Sequence, residues 1–154
     1  VRCVIKPHPA EPQEPYQRAL ARSGAARTRV LPPSADLLEL MHAADALVTV
    51  ESLSAVEALV LGRPVLILQM PTNLRALVDD GVALGVPAGA DPAEALRRLL
   101  FDPATRQALE AAGRRYLSEV AAGVDGGATR RILALIADTA AGGGDRSARG
   151  GVVG

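Results

Sequence analysis

Few side chains in this sequence are placed to do chemistry. Glu51, Ser52 and Ser54 cluster in the stretch from Asp45 to Gln69, DALVTVESLSAVEALVLGRPVLILQ, with Glu57 about one helical turn beyond. His8 stands between Pro7 and Pro9 near the start of the chain. Hydroxyls beside a helix start suit an anion, because the first backbone N–H groups are unpaired and the helix dipole is positive there. A phosphate is therefore expected near Ser52 and Ser54. A carboxylate one turn further in, Glu57, is placed to accept hydrogen bonds from a ribose diol. A histidine at a strand end can hydrogen-bond a phosphate or hand a proton to a leaving group. Simpler readings compete. Ser54-Ala55-Val56-Glu57 fits the capping box S-x-x-E, which accounts for both polar residues without a ligand, and the two roles can coexist. His8 can equally be a surface-loop histidine.

The elements that must hold these residues follow from the apolar pattern. Leu47-Val48-Thr49-Val50 and Val65-Leu66-Ile67-Leu68 are short, β-branched runs expected as strands buried on both faces. Leu53 to Leu61 is apolar nearly all round, which predicts a buried helix, with Gly62 at C′ and Pro64 stopping it. Strand, helix and strand of this length make a parallel βαβ crossover. Its polar residues then lie at the carboxyl end of the first strand, where open α/β sheets bind ligands.

Arg2 to Lys6 reads as the first strand, ended by Pro7-His8-Pro9. If it is parallel to the others, His8 sits at the same carboxyl edge as Ser52. A helix from Glu14 to about Arg22, a strand Thr28–Leu31, and a helix capped by Ser34 follow, the last with Leu37, Leu40, Met41 and Ala44 inward and His42 in solvent. Met70-Pro71-Thr72 leaves a strand's carboxyl end and is placed to line the site. Asn73 is expected to cap a helix through Val78, and Val82–Val86 to form a last strand. Asp91-Pro92 starts a helix with Leu96, Leu99 and Leu100 inward. Pro103 starts the longest helix, with Leu109, Ala112, Tyr116, Leu117 and Val120 as its stripe. After Asp125-Gly126-Gly127, a final helix is expected to turn Ile132, Leu133, Ile136 and Ala140 inward, and a tail without periodicity begins at Ala141.

The whole chain bounds the function. Its 154 residues suffice for one domain with a substantial core. A formal net charge of zero gives no global field toward nucleic acid or an anionic membrane. Aromatic residues, at 2%, are too few for base-stacking platforms. Cys3, the single cysteine, cannot form an internal disulfide and is expected as a buried, inert thiol, compatible with a reducing cytoplasm. The sequence has no spanning apolar run, signal peptide, metal-ligand spacing, G-x-G-x-x-G or Walker A motif. The abrupt start in a strand at Val1 suggests a piece of a longer protein.

These residues resemble a known arrangement. Lys6-Pro7-His8-Pro9, then Ser52 to Val65 as S-x-x-x-x-E-A-x-x-x-G-x-P-V, then Asp125-Gly126-Gly127-Ala128 before a final helix, resemble the C-terminal, nucleotide-binding half of GT-B-type glycosyltransferases. The nearest types are the bacterial capsule and cell-wall polysaccharide transferases and the non-hydrolysing UDP-N-acetylglucosamine 2-epimerases. The resemblance implies an α/β, Rossmann-like parallel sheet of about five strands with helices on both faces. It implies residues 1–140 as one nucleotide-sugar-binding domain and 141–154 as a disordered tail. It assigns His8 to the donor phosphates and to departure of the leaving group. It assigns the turn Glu51-Ser52-Leu53-Ser54 to nucleotide and phosphate, and Glu57 to the ribose.

The epimerases carry two glycines after the serine of this turn, whereas Leu53 and Ser54 stand here, which leans toward the transferases. The family's half begins with a further inner strand, so an unpaired sheet edge or a swapped contact is expected. The implied partners are a nucleotide-activated sugar or polyol linked to UDP, CDP or CMP, and an N-terminal acceptor domain or separate chain. No nucleic acid, metal, cofactor or membrane span is implied, and the expected location is the cytoplasm, with peripheral attachment to the inner membrane through missing parts. Two alternatives stay open: the corresponding half of a 2-epimerase, and a non-catalytic nucleotide-binding subunit.

Overall fold

A computed structural model describes residues 1–70, 74–119 and 124–143. The chain divides into two compact units, Val1–Gly113 and Arg114–Gly154. In order the elements are β1 (Cys3–Ile5), α1 (Glu14–Ser23), β2 (Thr28–Val30), α2 (Leu37–Ala43), β3 (Leu47–Thr49), α3 (Ser54–Val60), β4 (Val65–Gln69), α4 (Arg75–Asp79), β5 (Leu84–Pro87), α5 (Ala93–Phe101), α6 (Pro103–Glu119) and α7 (Ala128–Gly143).

Every strand pairing is parallel, as the strand–helix alternation demands. Among the described residues the strands pair in two groups, β1–β2 and β3–β4–β5, so the expected sheet of about five strands is present here as two separately paired parts. β3 and β4 pair with Leu47 opposite Val65 and Thr49 opposite Ile67, so the central βαβ crossover is formed. Among the described residues, β1 has a strand on one side only, against β2, and β3 on one side only, against β4.

Edge position explains where the burial differs from expectation. β4, flanked on both sides, buries Val65, Leu66 and Ile67 completely. β3, flanked on one side, leaves Val48 44% exposed, and it is not buried on both faces. Cys3 likewise lies exposed on β1, not buried. α3 is buried on one face only. Ala55, Ala58 and Leu59 are in the core, whereas Val60 is 43% exposed. Leu66, Val86, Leu99 and Leu109 form the central cluster, joining β4 and β5 to α5 and α6. Burial of Leu99 alone, which is fully inaccessible, contributes roughly 1.5–3 kcal/mol.

Local signals fix the helix ends. Gly62 takes the left-handed conformation (φ 67°) and donates to the Leu59 carbonyl, while Arg63 N–H donates to the Ala58 carbonyl. This is the Schellman pair, and Gly81 with Val82 repeats it after α4. α2 is capped by Asp36, which accepts from the Glu39 N–H at 3.0 Å, and not by Ser34. Its inward Met41 is buried and His42 is exposed, as the stripe requires. β5 sits two residues later than its apolar pattern suggests, because Val82 and Ala83 both donate to the Leu77 carbonyl and complete the turn after α4.

In the second unit, α7 leaves Ile132, Leu133 and Ile136 between 57% and 61% exposed, so these residues do not form a packed inner face among the described residues. α7 extends to Gly143, and the rest of the segment assigned to a tail lies outside the described residues, as do Pro71, Thr72, Asn73 and Val120.

Candidate functional site

The carboxyl end of β3 delivers the turn Glu51–Ser54, and the structure brings its two serines together. Ser54 Oγ donates to Ser52 Oγ at 2.8 Å, and Ser54 N–H donates to the same oxygen at 3.2 Å. The turn is anchored from behind by Thr49, whose hydroxyl accepts from the Ser52 N–H at 3.4 Å. Thr49 is a site residue that sequence reasoning placed only in the strand; its position three residues before Ser52 was the available signal.

The capping-box alternative is not formed. Leu53 is the residue before the helix, no side chain caps it, and the Ser54 hydroxyl is committed to Ser52. The turn closes instead by backbone bonds from Ala55 N–H to the Ser52 carbonyl and from Val56 N–H to the Leu53 carbonyl. A serine hydroxyl carries one proton and two lone pairs. Ser52 Oγ accepts the Ser54 N–H, and the one bond between the two hydroxyls uses one of their two protons, so the pair keeps a donor proton; Ser52 is exposed while Ser54 is 8% exposed. Glu51, Leu53 and Glu57 are exposed as well, and the structure gives the Glu57 carboxylate no hydrogen-bond partner among the described residues.

The carboxyl end of β1 delivers His8. Pro7 is fully buried, and the chain emerges with His8 exposed. A turn follows with Pro9 at its second position, closed by Glu11 N–H donating to the His8 carbonyl at 2.9 Å. The Glu11 carboxylate folds back to accept from the His8 N–H at 3.0 Å and from the Tyr16 hydroxyl, on the first turn of α1, at 2.9 Å. These bonds hold the Glu11 carboxyl below its usual range, the His8 backbone N–H first and the Tyr16 hydroxyl second, and the same carboxylate raises the Tyr16 phenol. Ala10 N–H donates to His8 Nδ1 at 3.1 Å. Gln13 Nε2 donates to the Val30 carbonyl at 3.2 Å, tying the start of α1 to the end of β2. Glu11 and Tyr16 were missed from the sequence; a carboxylate three residues after His8 and a phenol five residues further on was the signal.

His8 and the Ser52–Ser54 pair thus each follow the carboxyl end of a parallel strand, in different sheets of the first unit. Among the described residues, no three His, Cys, Asp or Glu side chains gather as a metal site. No described helix is long and apolar enough to cross a membrane. The Asp125-Gly126-Gly127 segment closes on itself: Asp125 accepts from the Gly127 N–H at 2.8 Å and from Arg131, and Gly126 is left-handed. A surface depression of about 340 Å³ between Leu100, Phe101, Pro103, Arg106, Gln107 and Glu110 contains none of these residues. No protein-family model and no curated protein matches this chain.

Proposed function

We propose that this chain is the donor-binding half of a bacterial polysaccharide glycosyltransferase-like enzyme, which binds a nucleotide-activated sugar or polyol. The observation that carries the reading is the Ser52–Ser54 pair at the end of β3, where the single bond between the two hydroxyls uses one of their two protons and leaves the other for an anion. On this reading Ser52, with the backbone N–H of Leu53, holds a phosphate of the donor. Glu57, exposed one turn later, takes the ribose hydroxyls. His8 contacts the phosphates and stabilises charge on the departing group. Acceptor binding belongs to a second domain or chain.

The reading also holds that β1–β2 and β3–β4–β5 are parts of one Rossmann-like sheet with helices on both faces. A further parallel strand then pairs with the open edges of β1 and β3. Leu53 and Ser54 in the turn, where a 2-epimerase has glycines, favour the transferase over that alternative.

Calorimetric titration with UDP, CDP, CMP and UDP-N-acetylglucosamine tests the reading, repeated on Glu57→Ala and His8→Ala. One nucleotide is expected to bind, and each substitution to weaken it roughly tenfold, the loss of one charged or hydrogen-bonding contact. Binding unaffected by either substitution refutes the site. No binding, in this chain and in one extended upstream, refutes the function.

A further inference from the structure

Three hydrogen bonds converge on His8, and together they specify more than its position. The Ala10 N–H donates to Nδ1 at 3.1 Å, so Nδ1 carries a lone pair and not a proton. A neutral imidazole has one protonated nitrogen and one acceptor, and the bond made by one nitrogen sets the state of the other. The proton is therefore on Nε2. The backbone that presents Ala10 to the ring is itself pinned. Glu11 N–H donates to the His8 carbonyl, and the Glu11 carboxylate accepts from the His8 N–H. Tyr16, on α1, donates to the same carboxylate oxygen. Ring, turn and helix are thus one hydrogen-bonded unit.

We infer that Glu11 and Tyr16 are positioning residues that hold the neutral form of His8 in the Nε2-protonated tautomer, so that the ring presents an N–H donor toward the donor phosphates. The consequence for ligand rests on the donor-site reading above; the tautomer does not. A neutral ring whose one exchangeable proton is on Nε2 can donate a hydrogen bond to a phosphate oxygen, but it gives that proton up far less readily than an imidazolium does. Glutamine, whose terminal amide places an N–H near the Nε2 position, should replace His8 in the donor role, and alanine should not.

Long-range proton–nitrogen correlation spectra of the full chain, at a pH where the rings are neutral, read the tautomer directly, with His42→Gln assigning the second histidine. His8 is expected to show an unprotonated Nδ1 and a protonated Nε2. In Glu11→Gln with Tyr16→Phe, the signals should move toward a mixture of tautomers, with the circular dichroism spectrum unchanged. A protonated Nδ1 in the parent chain, or a tautomer indifferent to the double substitution, overturns the lock. Titration with UDP and CDP then reads the role. His8→Gln should bind within about threefold of the parent and His8→Ala roughly tenfold more weakly. Equal loss in both variants overturns the neutral-donor role. Failure of any nucleotide to bind the parent chain removes the donor-site reading and with it the phosphate role, while the tautomer result stands or falls by itself.

Discussion

Gly85→Ala is the perturbation whose outcome the structure constrains most tightly. A Cβ at this position of β5 would lie 2.6 Å from Val78 Cγ1 and 2.8 Å from Gln69 Oε1. Carbon atoms pack best at about 3.5–4.0 Å, so Val78 would have to retreat by roughly 1 Å. The glutamine end can swing aside, but valine has two heavy atoms on Cβ and few rotamers to escape into. Overpacking of this kind costs about 1–3 kcal/mol. The lower entropy of the unfolded alanine chain returns roughly 0.4–1 kcal/mol. The net expectation is destabilisation by about 1–2 kcal/mol. Urea denaturation, at a slope of about 2 kcal/mol per molar, should show the midpoint falling by roughly 0.5–1 M. Val78→Ala removes the clashing Cγ1, so the double variant should recover about 1 kcal/mol beyond additivity. A Gly85→Ala midpoint at or above the parent's, or strict additivity with Val78→Ala, would refute the packing of α4 on β5.

Ser54→Ala should cost about 0.5–1.5 kcal/mol in the same assay, because Ser54 is 8% exposed and its hydroxyl bond to Ser52 is lost; Glu57→Ala should stay within about 0.5 kcal/mol, since that side chain is exposed. Asp102 links α5 to α6 by accepting from the Thr105 hydroxyl and from the N–H groups of Thr105 and Ala104, and the Thr105 hydroxyl above all depresses its carboxyl below the ordinary 3.8. Its folded value lies below its unfolded one, so its stabilisation is complete above 3.8 and is lost as pH falls through the folded value. Thermal melts on lowering the pH should therefore fall less steeply in Asp102→Asn than in the parent, and equal slopes would contradict the capping role. Glu51→Gln should tighten nucleotide binding about two- to threefold at low salt if Glu51 only neighbours the phosphate; weaker binding would make Glu51 a direct ligand.

Much of the first unit was legible in the sequence because each element carries its own local signal. The β3–α3–β4 crossover follows from two β-branched runs around a helix closed by Gly62, and its parallel register is the observed one. The inward stripe Leu37, Leu40, Met41 and Ala44 and the buried Leu99 were likewise readable from helical spacing. Sheet continuity was not, because strand pairing is decided between segments distant in sequence. The exposed Val48 and Cys3 follow from that single fact: an apolar run marks a strand but not whether the strand has two neighbours. The site was legible as residue types and not as bonds. Ser54 and Glu57 match a capping box in sequence, yet the Ser54 hydroxyl turns to Ser52, a choice set by backbone angles that spacing does not carry. Glu11 and Tyr16 escaped notice because each is ordinary alone, and only the turn at Pro9 brings them onto His8.

The two polar turns share a logic that residue charge alone would hide. Glu51 and Glu57 surround the first and Glu11 belongs to the second, so a tally of charge argues against an anion at either. Hydrogen-bond bookkeeping points the other way. The two serine hydroxyls share one bond and so keep one proton between them, and His8 Nδ1 spends its lone pair on Ala10, so each group is left with a donor. The Glu11 carboxylate is engaged by the His8 N–H and the Tyr16 hydroxyl, which disperses its charge into local bonds. Glu57 has no such partner among the described residues and is about 4.5 Å of helix rise along α3 from Ser54, which on the proposed reading lets it meet a different part of the same ligand. The proposed ligand, an anion flanked by a neutral polyol, is compatible with that layout: donors toward the phosphate, a carboxylate toward hydroxyls. A uniformly anionic ligand is not, because Glu57 would then face charge with no donor to accept from.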